Sequence, residues 1–453
     1  MDMQTLRSNS SFLGVIAILA FAIGFGGGGS KYGMANLIVQ LVALLALAFH
    51  QKAFFDFWRS APIALKALIA FSILLPAAML FPLPPSLWSA LPGREAMMTS
   101  LELVGGVGWS SASVEPVRTL LALTAMITPV ALLTIGWSAA RQNLITAGWI
   151  VVAMGIANFL LGVPQVLTNS ETGVFYPENP MPGVLFGTFA NRNTTGLFLV
   201  AALAMAAMLP AHPRFGRAAL GIRIGACILL LVAIVLTRSR TALVLSILPL
   251  ALVSAHVLIH RARLSGQSVM SNRRRAAFII APILLGLVTA GTVTVTAPGR
   301  VGDVTERFMK LDEDARAYIW EDAAYSASRY WPVGSGMGTF DDVFQLDESL
   351  ENMTQRTAGR AHNDYLEIAI EAGGPGLALI AGWLALVIWL SWRARRSPDK
   401  WIAWSGAIVL LAIALQSITD YPLRNHSMLA VGAYALLVLA RFGQPRRGTG
   451  DDA

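Results

Sequence analysis

Charge is scarce in this 453-residue chain: Asp, Glu, Lys and Arg make up 13% of it, about half the share of an ordinary soluble domain. That is too little to coat a water-soluble surface of this size. A hydrophobic share of 55% and a mean hydropathy of +0.60 exclude disorder as well. The single cysteine, Cys227, cannot pair within its own chain, which excludes a disulfide scaffold. The six histidines are scattered; His256 and His260 stand at His-x3-His spacing, but no Cys, Asp, Glu or further His lies beside them in sequence, so no metal-ligand set is expected. No serine stands in nucleophile-elbow context. There is no solenoid-type repeat and no low-complexity tract beyond Gly26–Gly29. The basic residues lie in short clusters between apolar runs, not in a base-reading surface, so nucleic acid is not an expected partner. What remains is an all-α polytopic membrane protein whose first partner is the lipid bilayer.

A helix of about 20 mostly apolar residues crosses the hydrocarbon core. Suitable runs lie near 11–26, 34–49, 61–81, 117–138, 143–163, 184–209, 219–236, 240–260, 276–297, 375–392, 401–418 and 427–441, which predicts about 12 transmembrane helices. The first run follows Arg7 without an Ala-x-Ala cleavage site and reads as a retained span. With the N-terminus inside, alternation puts 19 Lys and Arg near span ends on the inner side. Only Lys31, Arg94, Arg118, Arg238, Arg240 and Arg424 fall in short outer loops. Both termini are therefore expected in the cytoplasm.

Two outer segments are long: 82–116, rich in Pro and Trp, and 298–374. The second holds 15 acids against seven Lys or Arg and has helix and turn signals throughout, which predicts a large helical loop folded as a cap on the outer face. The chain thus divides into an N-terminal transmembrane region (1–183), a core (184–441) containing that loop, and a cytoplasmic tail (442–453).

Ionisable groups at membrane depth cost on the order of 2.5–3.5 kcal/mol each and point to function by default. Leu236-Thr237-Arg238-Ser239-Arg240-Thr241 squeezes two arginines between two spans. They are either a tight turn snorkelling to headgroups or planar forks suited to a diphosphate. Gly187-Thr188-Phe189-Ala190-Asn191-Arg192-Asn193-Thr194-Thr195-Gly196 is a polar break in an apolar run. A re-entrant or broken helix lining a cavity would explain it; so would interhelical hydrogen bonding. Lys66, isolated in the third span, reads as a snorkelling residue. Ala361 to Gly373 reads as a short amphipathic helix with His362 in its first turn and Gly373 capping its end. A lone histidine is usually structural, but one opening a helix just before the chain re-enters the membrane can face a cavity and accept a hydroxyl proton. Gly334-Ser335-Gly336-Met337-Gly338 lacks the Gly-Lys-Ser/Thr of a phosphate loop and reads alone as a turn.

In order, Gly187-Thr188-Phe189-Ala190-Asn191-Arg192-Asn193, Thr237-Arg238-Ser239-Arg240-Thr241-Ala242, Arg316-Ala317-Tyr318-Ile319-Trp320, Pro332-Val333-Gly334-Ser335-Gly336-Met337-Gly338-Thr339-Phe340 and His362-Asn363 followed by Gly373-Gly374-Pro375-Gly376 resemble the O-antigen ligase family. That family also includes O-antigen polymerases and related bacterial lipid-linked glycan transferases. The His-Asn-x9-Gly-x-x-Gly spacing is the most specific of these matches. The resemblance implies a metal-independent, inverting membrane glycosyltransferase without cofactor, in the bacterial inner membrane with its active loop periplasmic. It would move a glycan from undecaprenyl diphosphate to lipid A–core or another surface acceptor. By position, Arg240 and Arg316 would bind the diphosphate with Arg238 nearby, and His362 would orient or deprotonate the acceptor hydroxyl. Asn191, Asn193, Asn363 and Tyr365 are the accompanying candidates for substrate binding. The alternatives are an O-antigen or exopolysaccharide polymerase, a protein O-glycosyltransferase of the same family and, from another class, a lipid-linked glycan transporter or flippase. Phe344–Arg360 includes an acidic run, against which an acidic acceptor would dock poorly.

Overall fold

The computed structural model describes residues 3–106, 108–167, 175–176, 183–211, 215–264, 316–353 and 358–444. The expected span near 276–297, the basic cluster Arg273–Arg275, the outer loop up to 315 and the tail beyond 444 lie outside the described residues. Helix dominates, and the described strands are a two-stranded antiparallel ribbon, β1 (Pro82–Leu83) with β2 (Ser110–Ser111). The coarse expectation of a mostly helical membrane protein holds.

The helices are α1 (Met3–Phe25), α2 (Gly33–Phe49), α3 (Gln51–Ser60), α4 (Ile63–Met79), α5 (Pro85–Ser89), α6 (Glu95–Glu102), α7 (Pro116–Ala125), α8 (Ile127–Trp137) and α9 (Arg141–Leu167). The second half supplies α10 (Arg192–Met208), α11 (Ala218–Leu236), α12 (Arg240–Leu245), α13 (Ile247–Leu264), α14 (Arg316–Arg329), α15 (Phe340–Asp347), α16 (Asp364–Ala394), α17 (Lys400–Gln416) and α18 (His426–Phe442). Each expected apolar run among the described residues falls on a helix. Among the described residues five helical stretches are long and apolar enough to cross a membrane, with α7–α8 and α12–α13 each taken as one, or six if the bent pair α2–α3 also counts as one span. Helices α4, α10, α17 and α18 have 17 residues each, about 25 Å at 1.5 Å per residue, short of a ~30 Å core.

α3 is a turn in direction that no apolar run announces. It leaves α2 at 80°, and its sequence Gln-Lys-Ala-Phe-Phe-Asp-Phe-Trp-Arg-Ser alternates apolar and charged faces, the composition of a helix lying along an interface. Lys66 finds a specific partner beside it: its ammonium donates to the Trp58 carbonyl at 3.0 Å. It satisfies a C-terminal carbonyl of α3 instead of reaching for headgroups.

α10 and α18 form the centre of the bundle. Every residue of α10 from Thr194 to Met208 is buried, as is nearly all of α18. A helix apolar all round belongs in such a place. Small residues let the neighbours close in: a side chain at Gly406 of α17 would collide with the Ala435 carbonyl of α18, and one at Gly155 of α9 with Ala202 of α10.

The two ends of the bundle differ in chemistry. At one end Arg141 pairs with Asp399 at 2.7 Å and donates to the Arg441 carbonyl, Arg441 donates to the Trp137 carbonyl, and Arg223 caps Leu209 at 2.6 Å. The other end collects the loops 26–33, 183–191, 237–239 and 417–425. Cross-bonds tie them together: Gly27 bridges Phe189, Leu185 N–H donates to Leu236, and Ser427 N–H donates to Gly26. Over this end α14, α15 and the start of α16 pack on a small core of Ala323, Tyr330, Phe340, Val343, Phe344, Ala361 and Ile370. The described part of the expected outer segment is thus a helical unit with its own interior.

Candidate functional site

Four helices begin at the loop-bearing end, each opened by a side chain that accepts a backbone N–H two or three residues on. Asn191 caps α10 through Asn193 N–H at 2.8 Å, Ser239 caps α12 through Ala242 at 3.3 Å, Asn363 caps α16 through Leu366 at 3.1 Å, and Asn425 caps α18 through Met428 at 2.9 Å. Helix N-termini carry partial positive charge and spare N–H groups, the usual setting for an anion.

His362 stands two residues before α16 and is not in its first turn: the helix starts at Asp364, with Asn363 as its cap. His362 has φ +52, a left-handed conformation for a residue with a Cβ. Its backbone is held from both sides. The Glu367 carboxylate accepts Ala361 N–H at 2.9 Å, and the Trp320 indole donates to the Ala361 carbonyl at 2.8 Å. The ring packs 5.0 Å from Tyr421, with the side chain 34% exposed and Nδ1 buried. Nδ1 therefore faces inward, which leaves Nε2 for an incoming group.

What Nδ1 faces is Asp420, whose Oδ1 lies 3.4 Å away on a side chain 1% exposed, within ion-pair distance but without hydrogen-bond geometry. Asp420 also accepts from the Asn191 amide at 3.3 Å and from Tyr421 N–H at 3.0 Å. The sequence offers no period or spacing that singles this aspartate out. Its sole signal is a charged stretch, Asp420-Tyr421-Pro422-Leu423-Arg424, between two apolar runs. Burial and the neighbouring Asp420 charge push the Tyr421 phenol up to about 12, so it stays neutral.

Behind this pair lies a buried ionic cluster that the sequence does not announce either. Arg424 reaches Asp364 at 3.2 Å, Glu367 at 3.1 Å and Glu371 at 2.7 Å. Burial alone would pull its guanidinium down, but Glu371, Glu367 and Asp364 hold it above its ordinary value. Arg360 joins Glu367 at 3.2 Å and spans to the Ser30 hydroxyl at 2.9 Å. The acidic face of the amphipathic helix thus turns inward onto arginine, away from water. Gly373 interrupts α16 with φ +54, because a Cβ there would strike the Pro332 carbonyl. Chain beyond it continues directly into the membrane helix. The glycine-rich stretch packs against this break: Ser335 and Gly336 donate to the Ile370 and Glu371 carbonyls, both at 2.9 Å. Those N–H groups are occupied, as befits a structural turn.

The other candidates are distributed as follows. Asn191 is in the His362–Asp420 group. Asn193 follows it by two residues, and its carbonyl accepts from Gln416 at 2.9 Å. The stretch 184–189 is non-helical and buried in protein, so the polar break precedes α10 and does not interrupt it. Arg238, also left-handed at φ +52, and Arg240 flank Ser239 in a turn packed on Gly196, within the first turns of α10. Arg316 lies one helical turn from Trp320, whose indole holds the residue before His362. Asn363 serves as a cap, and the Tyr365 hydroxyl is tied to the Ala414 carbonyl at 2.8 Å. Among the described residues no group of three or more His, Cys, Asp or Glu is placed to hold a metal ion.

Residues 225–381 match the family model described as O-antigen ligase. The chain carries an O-antigen ligase domain. The match covers the turn with Arg238 and Arg240, Arg316, the glycine-rich stretch and His362. No curated protein matches the chain. With its apolar helices, the O-antigen ligase domain makes this a multi-pass membrane enzyme of ligase or polymerase type in polysaccharide biosynthesis.

Proposed function

We propose that the protein is an inverting glycosyltransferase that takes a glycan from undecaprenyl diphosphate and joins it to lipid A–core or another surface acceptor, without a metal. The observation that carries this reading is the His362–Asp420 pair at an end where four capped helix N-termini meet. Nε2 of His362 takes the proton of the acceptor hydroxyl. Asp420 steadies the imidazolium through Nδ1, as a carboxylate does for a catalytic histidine. The hydroxyl oxygen attacks the anomeric carbon as the bond to the diphosphate breaks on the opposite face. Arg240, with Arg238 in the same turn, and Arg316 stabilise the departing charge, and the helix N-termini add to the same field. Asn191 fixes Asp420, while Asn363 and Tyr365 hold the start of α16 in place beside it.

The proposed setting is the bacterial inner membrane, with this end periplasmic and both termini cytoplasmic. The sorting of charge supports it: Arg393, Arg395, Arg396, Lys400 and Arg441 stand at the opposite end, where the positive-inside rule wants them. A reporter inserted after Leu346 should be active only outside, and one after Arg396 only inside. Equal sidedness would overturn the orientation.

The deciding assay uses purified full-length protein with undecaprenyl-diphosphate glycan and lipid A–core. Glycan on the core establishes ligase activity. Growth of the lipid-linked glycan alone would make it a polymerase, and movement of the donor across a vesicle without transfer would make it a transporter.

A further inference from the structure

The end of the bundle opposite His362 holds a feature that glycan transfer does not use. A cleft of about 530 Å³ opens where α13 meets the turn between α16 and α17, lined by His256, His260, Arg395, Arg396, Lys400 and Trp401 together with smaller groups. Its volume falls within the range of small-molecule sites.

The cations around it are held in place. The Arg395 guanidinium lies 4.0 Å from the Trp392 ring centre and that of Arg396 5.8 Å from the same ring. The Lys400 ammonium is 5.5 Å from Trp401 and 5.7 Å from Trp404. The His256 ring packs 4.8 Å from Trp401 and 6.2 Å from His260. Cation–π contacts of this kind orient long side chains that would otherwise roam.

No carboxylate is among the described lining residues. The acid in the turn, Asp399, is committed to Arg141 at 2.7 Å, with both side chains largely buried. Three permanent cations around one cavity, with no acid of the cleft's own, make a site for an anion from outside. Two arginines favour phosphate oxygens, which their planar forks engage in pairs. The cleft also has an apolar border: Ile259 of its lining is 42% exposed, and Trp392, which carries Arg395 and Arg396 just outside it, is 54% exposed. A free phosphate would leave that flank and most of the volume unused, whereas a lipid would set its glycerol and acyl chains against them. Basic clefts between membrane helices, edged by tryptophan at the interface, suit phospholipid headgroups.

We propose that this cleft binds the phosphodiester headgroup of an anionic phospholipid, so that one lipid is held between α13 and the α16–α17 turn. The site is separate from the glycan-transfer end and does not depend on the reading given for it.

The test uses the full-length protein in a neutral detergent, with phosphatidylglycerol and phosphatidylcholine as probes and native mass spectrometry as readout. Wild type should retain one phosphatidylglycerol under conditions that strip phosphatidylcholine. The variant Arg395→Gln/Arg396→Gln/Lys400→Gln should bind it roughly 100-fold more weakly, at about a factor of five per cation. The variant Lys52→Gln/Arg59→Gln/Arg393→Gln removes the same charge from outside the cleft and should bind as wild type. Equal retention by the cleft variant, or equal loss in the control variant, would overturn the proposal. Displacement of the lipid by millimolar inorganic phosphate would overturn the lipid as occupant. Photo-crosslinkable phosphatidylglycerol gives a check that needs no variant to fold. It should label the segment 389–401 of wild type, and labelling confined to other segments would also overturn the proposal.

Discussion

His362 Nδ1 sits 3.4 Å from Oδ1 of Asp420, although 57 positions in the chain lie between these residues. The aspartate comes from the turn before α18 and the histidine from the entry to α16, so the proposed proton-handling pair is assembled from two loops that only the packed helices bring together. His362→Ala should abolish transfer while leaving donor binding intact, because in the proposed mechanism the arginines hold the diphosphate independently. Asp420→Asn keeps the shape and the link to Asn191 but removes the charge, and should lower the rate by roughly 10²–10⁴. Turnover and donor-binding assays on both variants check this. Wild-type turnover by Asp420→Asn would remove the aspartate from the mechanism.

Arg240→Lys keeps charge and loses the planar fork, and Arg316→Ala loses both. Each should cost roughly 10²–10³ in rate, the usual penalty for one preorganised electrostatic contact. Excess EDTA should leave wild type active if arginines alone stabilise the diphosphate. Inhibition that Mg²⁺ or Mn²⁺ reverses would show that an ion carries that charge.

The Arg424 cluster makes a prediction about stability. Replacing Arg424 as Arg424→Gln leaves three buried carboxylates without their guanidinium and should destabilise the protein by about 3–5 kcal/mol, whereas Glu371→Gln leaves Arg424 two carboxylates and should cost less. Thermal unfolding in detergent is the measurement. Arg424→Lys should fall between, since one ammonium cannot reach all three carboxylates as the guanidinium does.

Tyr421 sets a limit at high pH. Its phenol is raised to about 12 in the fold against about 10 in the unfolded chain. The fold favours the neutral form, so its contribution is complete below pH 10 and is lost as pH rises from 10 to 12. Alkaline unfolding curves should show a loss in that window that Tyr421→Phe lacks.

Much of this site is legible in the sequence because it breaks local rules. Arginines between two spans, asparagines at the head of an apolar run and a glycine pair before Pro375 all conflict with a plain membrane helix, and each conflict coincides with a cap, a turn or a break. Asp420 and Arg424 break no such rule. A charged residue in a short loop between spans is expected on solvation grounds, and only the folding of α16 against that loop turns both groups inward. The roles of Asn363 and Tyr365 are similarly hidden. Position makes them look like ligands for substrate, while capping and a carbonyl 49 residues away engage the groups that would serve. Helix α3 is missed because a 17-residue apolar run and a 10-residue amphipathic one lie almost end to end, and periodicity does not register an 80° bend.

The place of Asp420 in the chain has a consequence for synthesis. His362, Asn191 and the arginines are all made before the last hairpin, α17–α18, emerges, whereas Asp420 and Arg424 arrive only with it. Until that hairpin docks, the histidine has no counter-charge and three carboxylates lack their guanidinium. In the proposed mechanism, a partly inserted chain exposed to donor lipid would therefore be unable to discharge it. On that mechanism, competence would arrive with the docking of α17–α18.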